Sequence, residues 1–368
     1  MQDCYYWATL HISMELGPRS LLYLYRYFGS GKAVFEADPG EFRNIPLLSP
    51  QVAEKIIACR NSLTPEKTAQ ELISSNIKVT VLGDPDYPKL LAEIPDPPVV
   101  IYSRGRLPGH EMPLIAIVGA RRATPYGRVM AKKLAEDLTN LGWGVVSGMA
   151  RGIDTAAHEG AIAGNGYTLA VLGCGVDVCY PRENQKLYEK IAEMGCLLSE
   201  FPPGTHPQPK NFPIRNRIIS GCSLGTLVVE AGERSGALIT ANFALEQGRD
   251  VFAVPGSVTS IRSRGTNNLI KQGAKLVESA EDVIAEYPYL SFSLPASQEC
   301  PVKRTKLPPE EAAVYKYLNL EPTHIDQLAE LTGMPVSMIG SILTMLELKG
   351  LAKRLNGDYY ISADLSRR

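Results

Sequence analysis

The sequence predicts a doubly wound α/β fold with a Rossmann-like, mostly parallel sheet, and two observations lead to it. Short apolar runs recur along the middle of the chain, each nearly continuous, as in strands buried on both faces of a parallel sheet. Segments with helical periodicity, such as 127–142 and 236–248, separate these runs, and strand–helix alternation over this length is typical of doubly wound folds. The predicted strands are LIAIVGA (114–120), GWGVVSG (142–148), TLAVLGC (168–174), CLLSEF (196–201), GTLVVEA (225–231), DVFAVPG (250–256) and AKLV (274–277).

The chain divides into four predicted regions. Residues 1–75 are expected to form short helices, one of them starting with a Ser cap and a Pro at 49–50. The α/β domain takes 76–286 and begins with a Pro-rich stretch, 84–105, that we interpret as a linker extension. Residues 287–307 lack periodicity, which predicts a linker. Residues 308–368 are predicted to form a last small domain.

That last domain is predicted to be a winged helix. Three helical segments are followed by a hairpin turned at Asn356–Gly357, and Thr323 is predicted to cap the second helix. Residues 308–362 carry 4 basic and 7 acidic side chains, and the recognition-helix segment Pro335–Leu346 has no Lys or Arg. We therefore expect this domain to contact protein or regulate rather than to read duplex DNA.

Composition and charge limit the classes of protein to which this chain can belong. The 368 residues hold 38 Lys+Arg and 39 Asp+Glu, a net charge of −1, so the chain lacks the strongly basic character of many nucleic-acid binders, although a local basic patch stays possible. No secretory signal and no span of about 18–20 apolar residues is present, which predicts no membrane insertion. The seven scattered cysteines form no C-x-x-C pair and are expected to be reduced, which indicates the cytoplasm.

Ligands of open parallel sheets bind beyond the carboxyl ends of the strands, so the residues that follow each strand are the candidates. After the first strand, a glycine allows a tight turn, and two arginines and a hydroxyl suit phosphate. After the second, small residues offer backbone N–H groups, and an arginine adds charge. These candidates are Gly119, Arg121, Arg122, Thr124, Ser147, Gly148 and Arg151.

Asp154 and His158 are spaced i and i+4 on one predicted helical face. They could form an acid–base or metal pair, but no third ligand has suitable spacing, and we favour a capping Asp and a structural His.

The segment after the fourth strand, 199–221, mixes cations with an aromatic ring. Charges can follow phosphates while a ring stacks on a base, which suits a single strand of nucleic acid; the alternative is a surface loop whose phenylalanine packs on the core. The candidates here are Lys210, Phe212, Arg215, Asn216 and Arg217.

Ser235 and Gly236 open a helix after the fifth strand and offer a further anion-binding position. From His206 to Lys275 there are 9 Lys/Arg and 4 Asp/Glu, a local charge of +5. No nucleophile–base pair, metal set or cofactor motif accompanies them. The sequence predicts a binding protein for an anionic ligand, without cofactor or metal, rather than an enzyme.

Several ordered motifs resemble the DNA-processing protein A (DprA, or Smf) family over about residues 80–285. They are IVGARRATPYG, SGMARGIDTAAH, FPIRNRIISG, VVEAGERSGALIT and VFAVPG followed by GTNNLI. The flanking regions resemble the sterile-alpha-motif-like and winged-helix additions of that family.

This resemblance implies a non-enzymatic, cytoplasmic bacterial protein that binds incoming single-stranded DNA, forms a homodimer and loads the RecA recombinase during natural transformation. It also implies phosphate contact by Arg121, strand contact near Lys210, base contact by Phe212 and an RNR signature at Arg215–Asn216–Arg217. Cys222 stands where a leucine is more usual, and we expect it to change packing only.

A second hypothesis is a nucleotide-hydrolysing enzyme. SLGTLVVEA (223–231) is similar to the glycine–threonine–glutamate loop of nucleotide phosphoribohydrolases, in which Glu230 would be catalytic. The full glycine-rich form of that loop is missing here.

Overall fold

A computed structural model describes residues 2–14, 16–290, 307–319, 322–349, 351–355 and 357–362. The chain forms two compact units, Met1–Phe292 and Ser293–Arg368, and each is described by itself. Most of the predicted linker, residues 291–306, lies outside the described residues.

The first unit is built on a nine-stranded sheet in the order β1-β2-β6-β5-β4-β3-β7-β8-β9. All pairs from β3 to β9 are parallel, and each predicted apolar run contains one of these strands, which confirms the fold class. The chain winds outward from β3 through β6, then returns beside β3 to begin β7. The strands are β1 (Lys78–Val81), β2 (Val100–Gly105), β3 (Leu114–Val118), β4 (Gly144–Ser147), β5 (Thr168–Val171), β6 (Cys196–Ser199), β7 (Gly225–Val228), β8 (Asp250–Ala253) and β9 (Lys275–Leu276).

Helices cover both faces of the sheet, as its two-sided burial requires. The longest begins after Thr124, whose Oγ1 accepts the Gly127 N–H at 3.0 Å, and has Pro125 in its first turn. The helices of this unit are α1 (Asp3–Met14), α2 (Pro18–Phe28), α3 (Gly31–Glu36), α4 (Pro50–Cys59), α5 (Pro65–Ser74), α6 (Lys89–Ala92), α7 (Pro125–Asn140), α8 (Ile153–Ala163), α9 (Gln185–Met194), α10 (Asn211–Gly221), α11 (Gly236–Glu246), α12 (Arg264–Lys271) and α13 (Ala280–Ile284).

The interpretation of residues 84–105 as a linker is wrong at its end, where β2 forms. β2 pairs antiparallel with β1 and with β6, and Tyr102 lies opposite Ser199. The prolines stop at Pro98, and the apolar residues from Val99 to Tyr102 that follow are fully buried. The many prolines predicted a linker for the whole stretch, although a short strand begins directly after the last of them.

The N-terminal helices pack on this antiparallel edge of the sheet. Trp7 and Leu10 of α1 share one buried cluster with Tyr102 of β2. The Tyr102 hydroxyl also lies 3.1 Å from Nδ1 of buried His11, and burial lowers the pKa of that imidazole to about 4. The helices therefore share a continuous core with the edge strands. As predicted, Ser49 caps α4 and Pro50 opens it.

The second unit has the predicted helices and hairpin. Its helices are α14 (Pro309–Tyr315), α15 (Ile325–Thr332) and α16 (Val336–Leu348). Its sheet has the order β10-β12-β11, with β10 (Thr323–His324), β11 (Ala352–Arg354) and β12 (Tyr359–Ser362). Gly357 turns the hairpin with φ of +77°, while Asn356 lies outside the described residues.

One detail of the winged helix was predicted wrongly. Thr323 does not cap the second helix, because it lies in β10 opposite Tyr360. His324 caps α15 instead: its Nδ1 accepts the Asp326 N–H at 3.3 Å.

Among the described residues no single helix is long and apolar enough to cross a membrane; only α15 and α16 taken together would pass by composition, and they are bent by 109°.

Candidate nucleic-acid interface

A cavity of about 790 Å³ lies beyond the carboxyl ends of β3 and β7. These adjacent strands flank the point where the strand order reverses, which is where open α/β sheets bind ligands. The structure brings together eight of the residues predicted to bind phosphate or DNA. They are Gly119, Arg121, Arg122, Phe212, Arg215, Asn216, Ser235 and Gly236.

Gly119 is required by a close approach of the chain. A Cβ at this position would lie 2.5 Å from Cγ1 of Ile153 and 2.9 Å from the carbonyl oxygen of Glu230. Neither atom is the free end of a flexible side chain, so another residue would displace the loop. The loop after β3 is thereby held against the end of β7.

Glu230 fixes the same loop from below. Its buried carboxylate accepts the Thr124 N–H at 3.1–3.2 Å and the Thr124 hydroxyl at 2.6 Å. Thr124 therefore does not line the cavity; the prediction that its hydroxyl binds phosphate is wrong, because Glu230 and the N-terminus of α7 already occupy it. The pair positions the loop that carries Arg121 and Arg122.

Four exposed arginines line the cavity: Arg121, Arg122, Arg234 and Arg262. Within the part of the chain that the structure describes, none of the four has a carboxylate oxygen within 4.0 Å. Cations without carboxylate partners keep their full charge for an anionic ligand. Sequence reasoning missed Arg234 and Arg262 individually, although both contribute to the local charge of +5.

Arg215 forms the floor of the cavity rather than its rim. It is 3% exposed, and its Nη1 donates to the carbonyl oxygens of Gly148 (2.7 Å) and Val171. Burial lowers the pKa of the guanidinium to about 10, so it stays charged at neutral pH. Asp154, which also lines the cavity, lies beside it.

Ser147 and Gly148 do not line the cavity, contrary to the prediction that their N–H groups face a ligand. Both are buried: the Ser147 hydroxyl donates to the Ile117 carbonyl at 2.6 Å, and the Gly148 carbonyl accepts from Arg215. A Cβ on Gly148 would lie 2.5 Å from Nη2 of Arg215, so the glycine makes room for the guanidinium. These residues shape the cavity floor from beneath.

The predicted role of Arg217 at the ligand is also wrong. Arg217 is 4% exposed and pairs with buried Glu200, and its Nε lies 3.2 Å from Oδ2 of Asp96. Residues 211–221 form helix α10 and not a loop, and positions two apart on a helix point in nearly opposite directions. Arg215 therefore faces the cavity while Arg217 faces away and is neutralised.

Two further predicted cations lie outside the cavity lining. Arg151 is exposed and pairs with Glu183, with Nε 2.5 Å from Oε1. Lys210 is exposed immediately before α10 and has no carboxylate partner among the described residues, so its contact with a strand stays a prediction.

Phe212 is half-buried at the cavity wall. The Cζ atoms of Arg121 and Arg215 lie 5.3 and 6.0 Å from its ring centroid. The ring also packs on the backbone of Gly173, where a Cβ would lie 2.9 Å from its Cδ1. Both interpretations of Phe212, packing on the domain and facing a ligand, therefore apply: the ring contacts Gly173 and also lines the cavity.

Asp154 and His158 point to different partners. The Asp154 carboxylate accepts the Ala150 N–H at 3.3 Å, and burial raises its pKa to about 6. His158 Nδ1 lies 2.7 Å from the Thr168 hydroxyl, and burial lowers the pKa of the ring to about 3. No group of three or more His, Cys, Asp or Glu side chains among the described residues could hold a metal.

Fold and site together define an α/β protein with an arginine-lined crevice at the switch point of its sheet. The family model for DNA recombination-mediator protein A matches residues 78–288, and that for the DprA winged helix domain matches residues 299–358. The chain belongs to the DprA/Smf family.

Similar proteins agree over most of the chain. Protein Smf of Synechocystis sp. is 34% identical over 388 residues, covering 96% of this chain and 98% of its own. The X-ray structure of DprA from Streptococcus pneumoniae matches with a TM-score of 0.68 and 36% identity, over 78% of this chain and 98% of its own.

The structure of DprA from Helicobacter pylori, described by its single-stranded DNA binding mode, has a TM-score of 0.51 and 30% identity. It covers 58% of this chain and 96% of its own.

Proposed function

We propose that this protein binds single-stranded DNA in the crevice between the ends of β3 and β7. The observation that carries the proposal is the set of four exposed arginines, without carboxylate partners in the described part, around one cavity. Phe212 in the cavity wall supplies a π-face, and such a face accepts every base. Cations and ring together suit a strand with accessible bases.

The shape of the site favours a single strand over a duplex. The arginines line a recess and not a flat or convex surface, and Phe212 lies within it. A duplex keeps its bases stacked and paired, so their faces are not available to such a ring. The H. pylori relative, described by its single-stranded DNA binding mode, supports the same ligand.

Membership of the family also supports a proposal for the place of this binding in the cell. We infer that the protein protects incoming single strands and passes them to the RecA recombinase during natural transformation, in the cytoplasm. Membership of a family described as recombination mediators supports this role. The winged helix, with its acidic balance, would contact protein.

A homodimer forms part of the proposal. The apolar side chains of Leu245 on α11 and Leu276 on β9 are exposed within the stretch 225–285, which the family resemblance implicates in pairing. Sedimentation of a Leu245→Arg variant beside wild type tests this. A shift toward monomer supports a dimer interface at Leu245, and an unchanged dimer shows that the interface lies elsewhere.

The contacts of Glu230 support a binding role over hydrolysis. Both carboxylate oxygens accept hydrogen bonds from Thr124, so this group supports the loop. We expect no release of free base from nucleoside monophosphates; release that a Glu230→Gln variant loses would favour the enzyme hypothesis.

The direct test is equilibrium binding of single- and double-stranded oligonucleotides of the same length across a salt series. Single strands should bind more tightly, with little sequence preference and a steep loss of affinity as salt rises. Equal affinity for both forms, or no salt dependence, would overturn the proposal.

A further inference from the structure

A second aromatic ring packs beside Phe212, outside the cavity lining, and has no role in the site as described. Tyr180 belongs to the segment that follows β5, and its ring centroid lies 5.5 Å from that of Phe212 at an interplanar angle of 40°. Its side chain is 38% exposed, whereas Phe212 is half-buried.

The surroundings of Phe212 explain why the outer ring matters. Phe212 packs on Gly173 and is flanked by the guanidinium groups of Arg121 and Arg215. With these contacts and Tyr180 beside it, the Phe212 side chain is only partly exposed. Phe212 keeps part of its ring at the cavity, and Tyr180 adds a second, more exposed ring beside it.

The Tyr180 hydroxyl has no hydrogen-bond partner among the described residues, and the ring stays partly exposed. Tyrosines buried in this unit behave otherwise: Tyr102 bonds His11, and Tyr87 donates to the Pro98 carbonyl.

We propose that Tyr180 is a second base-binding residue, which receives the nucleotide that leaves the arginine-lined cavity past Phe212. The two rings are already in contact, so no base enters between them, and the base stacks on the solvent-facing side of Tyr180. Base–aromatic stacking tolerates any sequence, as a protein that accepts arbitrary single strands requires. The inference rests on the proposed function and adds a position to its binding track.

The test compares Tyr180→Ala, Tyr180→Leu and Tyr180→Phe in the full chain by fluorescence anisotropy with oligo(dT). Loss of one stacked base should weaken binding about 5- to 150-fold in the Ala and Leu variants. Leu keeps an apolar contact with Phe212 and removes only the aromatic face, so it separates stacking from folding. Phe should bind like wild type, because the hydroxyl has no partner.

The salt series distinguishes stacking from charge. Tyr180→Ala should lower affinity at every salt concentration and leave the salt slope unchanged, whereas Arg121→Ala should reduce the slope. Tyr27→Ala is the matched control: Tyr27 is 46% exposed, and its ring packs on Phe28 with centroids 4.9 Å apart, in the N-terminal helices.

Each outcome bears on a different claim. If Tyr180→Leu and Tyr180→Ala bind within twofold of wild type while Arg121→Ala is weakened, the base-stacking role is overturned and the proposed function stands. A loss in Tyr180→Phe equal to that in Tyr180→Ala also overturns it. Absence of single-strand binding by the wild-type chain defeats the proposed function itself.

Discussion

The cations that line the cavity of the α/β unit and those of the winged-helix unit differ in whether carboxylates pair with them. In the cavity, Arg121 and Arg262 are exposed and have no carboxylate within 4.0 Å in the described part of the chain. In the winged helix, α16 carries no Lys or Arg, Lys349 pairs with Glu311, and Arg354 pairs with Asp358. The net charge of −1 therefore averages a surface with available cations and one where two of the four described Lys and Arg side chains are paired.

The difference teaches that the position of a cation decides its role more than the number of cations does. Even beside the cavity, Arg217 is buried against Glu200 and cannot attract a strand, although it is only two residues from Arg215. Four expectations follow, in order of decreasing effect.

Removal of the cation from the buried Arg217–Glu200 pair should have the largest effect. Arg217→Ala leaves Glu200 buried without its cation and should lower the free energy of unfolding by about 3–5 kcal/mol. Arg354→Ala in the wing breaks an exposed pair and should leave stability unchanged. Urea unfolding of both variants measures this difference in stability. If Arg217→Ala were as stable as wild type but bound DNA poorly, Arg217 would contact DNA and the structural role would be contradicted.

Removal of an available cation should change binding and not folding. Arg121→Ala should weaken single-strand binding about tenfold, and the salt slope should fall by about 0.7 for each phosphate that the arginine no longer neutralises. Arg106→Ala is the control, since Arg106 is exposed directly after β2, at the opposite edge of the parallel strands. Equal effects of the two variants would show that the cavity is not the site.

Acidic pH should strengthen binding at the cavity and not elsewhere. Burial raises the pKa of Asp154 to about 6, so its carboxylate is charged above that pH and neutral below it. Neutral Asp154 removes a negative charge beside the phosphates, and affinity should rise a few-fold as pH falls from 7.5 to 5.5. Binding measured at constant salt should lose this dependence in Asp154→Asn; a persistent dependence would assign it to another group.

Charge reversal in the wing should have the smallest effect. Lys353→Glu in the full chain should change single-strand affinity by less than twofold, since this surface makes no phosphate contact in our proposal. The Arg121→Ala variant provides the comparison in the same anisotropy assay. A tenfold loss in Lys353→Glu would place DNA on the winged helix.

Much of the fold could be predicted because the signals are local. Buried parallel strands need continuous apolar runs, and all seven predicted runs contain strands. Two strands were missed, β1 and β2, which form the antiparallel edge of the sheet. β2 directly follows a series of prolines. Its place depends on pairing with β6, which is distant in sequence.

The site was predictable to the level of its loops but not of each side chain. The loops after β3 and β7 converge as expected, because parallel strands end at one edge. Thr124, Ser147, Gly148 and Arg217 were assigned to the ligand from their type and position. Their actual partners, such as Glu230 and Glu200, are supplied by tertiary contacts.

The sequence by itself determined the doubly wound class, the winged helix, the family and the excess of cations in one stretch, since periodicity, motifs and composition are written in neighbouring residues. Only the tertiary structure decided which cations remain available to a ligand. Availability depends on whether a carboxylate from a remote segment lies within a few ångströms, as for Arg217 and Asp96, or does not, as for Arg121. A count of charged residues cannot show this difference, because the difference lies in the distance between a cation and a carboxylate in the folded chain.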